Sequence, residues 1–114
     1  MAKVGRFVTD PKVGAYCRIT LDSGEKILVN HEGSGFNDGR VTIDVVKFLG
    51  FGSDRIFTCD LDGPEGRAAL IHLTRDARPG SAEATALGAF VAHVKRCKSV
   101  AEVKTTCAAL MSIR

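Results

Sequence analysis

His93 and Cys97 stand four residues apart. On a helix that spacing puts an imidazole and a thiol on one side, one turn from each other. Two chemistries follow from such a pair: a thiol beside a base, or two ligands of a metal ion. A metal site needs three or four ligands and a supporting shell. No other His, Cys or Asp has matching local spacing, and Cys107 joins only if the fold brings it there. His31 is a second candidate base, at a strand rim near Ser34, but no nucleophile-elbow pattern surrounds that serine. Asp60 and Asp62 stand two apart at a strand end. Neighbouring carboxylates can raise one another's pKa, yet the "DGPEG" around Asp62 calls for turn residues. On this reading no residue is assigned as catalytic or metal-ligating, and no cofactor is called for.

The segment "NHEGSGFNDGR", residues 30–40, carries Gly33, Gly35 and Gly39. A glycine-rich phosphate cradle needs a strand before it and a helix after it. Here a strand-like segment follows, and no Walker lysine succeeds the last glycine. The segment therefore reads as a long hairpin connection, closed by Asn37–Asp38–Gly39. Phe36 sits at its middle, either as a plug on the end of a barrel or as a contact residue. Burying a phenylalanine is worth ~1.5–3 kcal/mol, which leans the reading towards the plug.

Cations are spread over the extended segments: Arg18, Lys26, Arg40, Lys47, Arg55 and Arg67. Tyr16 shares strand parity with Arg18. An aromatic beside cations on a small barrel resembles the platform used by single-strand binders. Asp44, Asp60, Glu25 and Glu32 are interspersed, and the net charge is only +3. That balance is compatible with a polyanionic partner without demanding one. The contact candidates are Tyr16, Arg18, Lys26, Phe36 and Arg40.

Strands must position these groups. "GAYCRITL" (14–21) alternates apolar and polar residues, and "EKILVNH" (25–31) puts Ile27, Val29 and His31 on one side. The period of two marks half-buried strands, and "DSG" between them supplies a hairpin turn. "RVTIDVVKF" (40–48) alternates and then slips phase at Val46 and Phe48, which predicts a bulge near Val45–Val46. "RIFTCDL" (55–61) and "RAALIHLT" (67–74) read as further strands, and "VGRFV" (4–8) as an edge strand. "DGPEG" (62–66) is excluded from strand and helix interiors.

After "RDARPG" (75–80) the pattern turns helical. Ser81 is a capping candidate for a helix over 82–97, with a stripe of Ala84, Leu87, Val91 and Val94. Glu83 and the Lys95–Arg96 pair suit the two ends of its dipole. "SVAE" (99–102) is a capping-box pattern for a helix over 100–112 striped by Val100, Val103, Cys107 and Leu110. The two segments form either a tight corner or one kinked helix.

With 114 residues, 45% hydrophobic and 25% charged, the chain suits one ordered domain over 1–114. No apolar run approaches membrane-spanning length, and no apolar stretch at the start resembles a signal peptide. Cytoplasmic placement is expected, with the four cysteines reduced and buried as small hydrophobes. The expected fold is α+β: a small antiparallel β-barrel or strongly curled sheet of five to six strands over 3–74, then two C-terminal helices over 81–112. The expected function is binding without catalysis, to nucleic acid or protein, through a barrel face and the 30–40 loop. Two alternatives remain open. One is a small enzyme using His93 and Cys97 or the rim His31. The other is an assembly role, as a homo-oligomer formed through the helical pair.

Overall fold

A computed structural model describes residues 1–12, 14–35, 37–47 and 52–113. Phe36 and Phe48 lie outside these residues, so the choice between plug and contact for Phe36 falls outside the described structure.

The alternating segments form β1 (Lys3–Asp10), β2 (Gly14–Thr20), β3 (Lys26–Glu32), β4 (Arg40–Val46) and β5 (Ser53–Asp60). They pair in sequence order as one antiparallel meander. The expected hairpin is present, with Cys17 opposite Val29 and Ile19 opposite Ile27. Those four residues, with Val41, Ile43 and Cys59, are fully buried on one sheet face.

The sheet does not close into a barrel. β1 and β5 remain edges, because helices cover the apolar face that closure would otherwise have buried. Strand irregularities fall on these edges. One lies between Val4 and Phe7 of β1. The other lies opposite Ile43 and Asp44, where Ile56 is the extra residue of β5. The predicted bulge at Val45–Val46 is thus displaced. Edge bulges twist a strand away from unwanted pairing.

"RAALIHLT" is not a strand. Pro64–Thr74 forms a helix, α1, with Gly63 as N-cap and Pro64 in the first turn. Proline fits there because its ring presets the helical φ and its missing N–H is not needed. Gly66, Ala69 and Leu70 are buried and Leu73 packs beside them, a spacing of three, four and seven that marks a helix face.

Three α-helices therefore follow the sheet, where two were expected. Ser81 does not cap the next one: its hydroxyl turns back to the Arg78 carbonyl at 2.6 Å. Ala82–Ala84 forms a short 3-10 turn. α2 (Ala86–Val94) starts instead at Thr85, whose hydroxyl accepts from the Gly88 N–H at 3.2 Å. α3 (Val100–Leu110) has the expected cap, Ser99 accepting from the Glu102 N–H at 3.3 Å. Its expected stripe, Val100, Val103, Cys107 and Leu110, is buried. The chain turns a corner between α2 and α3.

α2 lies across β2, β3 and β4, while α1 and α3 lean on β5. Phe90 is fully buried, its ring 6.0 Å from that of Phe57. The β2–β3 turn ties the layers together. Glu25 Oε1 accepts from the Val100 N–H at 3.0 Å, and the Ser23 N–H donates to the Lys98 carbonyl at 3.0 Å. The Val100 N–H, followed by the Ser23 hydroxyl, holds the Glu25 carboxyl below its ordinary pKa.

Gly88 lets the 3-10 turn fold back against α2, since a Cβ there would run into the Ala82 carbonyl oxygen. Replacing glycine by alanine inside an isolated helix gains ~1 kcal/mol. Here the sign reverses: Gly88→Ala is expected to lose ~1–3 kcal/mol through overpacking against backbone, read by urea denaturation. Stability unchanged or raised in that variant would show that the 3-10 turn yields freely.

Candidate functional site

Residues of the opposite strand parity form the second sheet face, which lies away from the helical layer. The register sets its rows. Val8, Tyr16, Asn30, Thr42 and Thr58 lie side by side across the five strands. The next row holds Arg18, Leu28, Asp44 and Arg55. Beyond it Lys3, Thr20 and Lys26 are neighbours. At the other end Arg40 stands between Glu32 and Asp60. Directly opposed side chains lie about 5 Å apart. Tyr16, Arg18, Lys26 and Arg40 thus share this face, with Tyr16 half-buried and the three cations exposed.

The centre of the face is buried and polar. Asp44 is 7% exposed. Arg55 Nε donates to its Oδ1 at 3.0 Å, and Asn30 Nδ2 donates to its Oδ2 at 3.1 Å. The hydrogen bond to Asp44 raises the Arg55 pKa. The one buried carboxylate of the face is therefore matched, and its charge does not repel an anion lying over the rows. Thr42 is fully buried, and its Oγ1 has no hydrogen-bond partner among the described residues. Asp44 and Arg55 stand out in the sequence only as scattered charges of the strands, and Asn30 and Lys3 do not stand out at all. Strand parity with Tyr16 and Arg18 was the signal that could have found them.

The 30–40 connection is braced by its own side chains. Asp38 accepts from the Gly35 N–H at 2.8 Å through Oδ1 and from the Ser34 hydroxyl at 2.7 Å through Oδ2. These two bonds hold its carboxyl below the ordinary pKa. Gly39 takes φ 79°, and a side chain there would strike the Glu32 carbonyl. His31 is 7% exposed on the core-facing side, with Nε2 2.6 Å from the Asp38 carbonyl. A carbonyl can only accept, so Nε2 carries the proton and His31 serves as a structural donor.

His93 and Cys97 do fall close together, at the end of α2. The Cys97 thiol lies 3.4 Å from the Thr106 hydroxyl and is 3% exposed. All four cysteines are unpaired and buried. Burial pushes the thiol pKa up at Cys17, to about 11 at Cys59 and to about 12 at Cys107. Burial, with Arg96 and His72 adding repulsion, lowers the pKa of His93. Among the described residues no three His, Cys, Asp or Glu side chains are placed to hold a metal ion. His93 also lines a cavity of about 600 Å³ between α1 and α2. Half of that cavity's lining residues come from "RDARPG" and from the end of α1, a segment expected to be a strand.

Two measurements check this geometry. Because folding depresses the Asp38 pKa, its bracing is fully present above the unfolded value, ~3.9, and is lost as pH falls through the lower folded value. Pepsin should therefore cleave segment 33–39 slowly at pH 4 and faster at more acid pH, and Asp38→Ala should be cleaved quickly throughout. In the native protein an aromatic disulfide reagent should label the thiols slowly, and all four after unfolding. Fast native labelling of Cys97 would return it to consideration as a nucleophile.

No family model matches this chain, and neither a curated protein nor a solved structure matches it.

Proposed function

We propose that this protein is a binding module that takes single-stranded nucleic acid on the helix-free face of its sheet. The observation carrying the reading is that register alone gathers Tyr16, Arg18, Lys26 and Arg40, from three different strands, onto that face. Lys3 extends the basic end of the same surface. A sheet face with one aromatic for stacking and cations for phosphates suits a strand of nucleic acid, since every base offers a flat ring and every link a charge. The floor helps, because Asp44 is already engaged by Arg55 and Asn30. Four unpaired cysteines support a reducing compartment, and hence the cytoplasm. Among the described residues no helix is long and apolar enough to cross a membrane.

The test is fluorescence anisotropy with a labelled oligothymidine at low and moderate salt. Binding should weaken as salt rises, with a log–log slope of about −0.7 per phosphate contacted. Tyr16→Ala should remove about 1–3 kcal/mol of affinity, the worth of one stacked base. Arg18→Glu should weaken binding and flatten the salt slope while leaving the melting temperature close to the parent's. No binding at low salt, or binding indifferent to both substitutions, rejects the reading.

A further inference from the structure

The cavity between α1 and α2 lies in the helical layer, behind the sheet, and does not belong to the face just described. Its volume of about 600 Å³ falls within the ~300–1,000 Å³ typical of small-molecule sites. Arg75, Arg78 and Arg96 line it, with Asp76 and Glu83 as the carboxylates of the wall. Arg75 is already engaged, its Nε 3.3 Å from Asp76. Among the described residues neither Arg78 nor Arg96 has a carboxylate within 4.0 Å, and Glu83 has no cation within that distance.

Cations near helix C-termini have a general explanation in the helix dipole. That explanation covers Arg75, the C-cap of α1, and Arg96, just past α2. It does not cover Arg78, which stands in the connecting segment beyond the last turn of α1. Folding has instead brought two unpaired guanidiniums from separate segments to one concave wall. A guanidinium offers a planar fork of donors matched to the oxygens of a phosphate. A phosphate monoester carries roughly −1.5 to −2 charges at neutral pH, the complement of two such forks. The cavity is far larger than one phosphate, so an organic part must fill the remainder. Glu83, an acceptor without a cation, suits hydroxyl donors on that part. His93 lines the same wall, and its buried Nε2 has no hydrogen-bond partner among the described residues.

We propose that this cavity binds a small phosphorylated polyol such as a sugar phosphate, with Arg78 and Arg96 on the phosphate and Glu83 on the hydroxyls. Arg78 and Arg96 are both exposed, so removing them leaves the core untouched.

Isothermal titration with ribose 5-phosphate, glucose 6-phosphate and glycerol 3-phosphate tests this, beside inorganic phosphate, citrate and glucose. At least one phosphorylated polyol should bind at millimolar concentration or below, more tightly than inorganic phosphate, with glucose silent. Arg78→Ala and Arg96→Ala should each weaken binding about tenfold or more, the order expected for a lost charge-assisted hydrogen bond. Glu83→Gln should shrink the preference over inorganic phosphate. Arg18→Glu, on the sheet face, should change nothing, which keeps this result separate from the nucleic-acid reading. The proposal is overturned if no phosphorylated polyol binds, if the double variant Arg78→Ala/Arg96→Ala binds as the parent does, or if citrate binds as tightly.

Discussion

α2 approaches the sheet closely enough to bury Ala86, Leu87, Gly88, Ala89, Phe90, Val91 and Val94. That approach is the constraint on which the rest of the structure hangs. It is helped by a helix thinned by alanines, and Gly88 leaves room for the 3-10 turn at Ala82, whose carbonyl a Cβ would strike. It also needs a single large ring, Phe90, to meet Phe57 at the sheet. Burial of this apolar surface is the main favourable term available to a chain without disulfides. α1 and α3 then take the remaining space along β5.

A sheet has two faces, and one layer of helices covers only one of them. Period-two alternation therefore divides the chain's chemistry cleanly. Cys17, Ile19, Ile27, Val29, Val41, Ile43 and Cys59 go under the helices. Tyr16, Arg18, Lys26, Arg40 and Arg55 go to the other side. Asp44 sits among them as a buried acid, and Arg55 and Asn30 satisfy it. The result is a face whose free charges are mainly positive at the end marked by Lys3, Arg18 and Lys26, and mixed at the end marked by Arg40, Glu32 and Asp60.

The same burial that stabilises the core disarms its reactive groups. A thiol without water or a cation nearby resists ionisation, as Cys59 and Cys107 do. His31 is spent on the Asp38 carbonyl. Among the described residues, exposed cations stand on the second sheet face and along the connection between α1 and α2.

Much of this was legible in the amino-acid order. The β2–β3 hairpin, the buried stripe of α3 and the shared strand parity of Tyr16 and Arg18 follow from backbone periods that repeat every two or 3.6 residues. Such periods are local, so a short window reveals them. "RAALIHLT" misled because its apolar residues satisfy both periods over so short a run. Pro64 at the first helical turn and the space beside β5 decided for the helix. Closure of the sheet was not legible either, since it depends on whether β1 meets β5, strands from opposite ends of the meander. The cavity was hidden for the same reason. Arg78 and Arg96 belong to separate segments with no shared period, and only the packing of α1 against α2 puts them on one wall. Local geometry determined which residues face together along a strand or helix. Contacts between distant segments decided which face was covered and where a cavity remained.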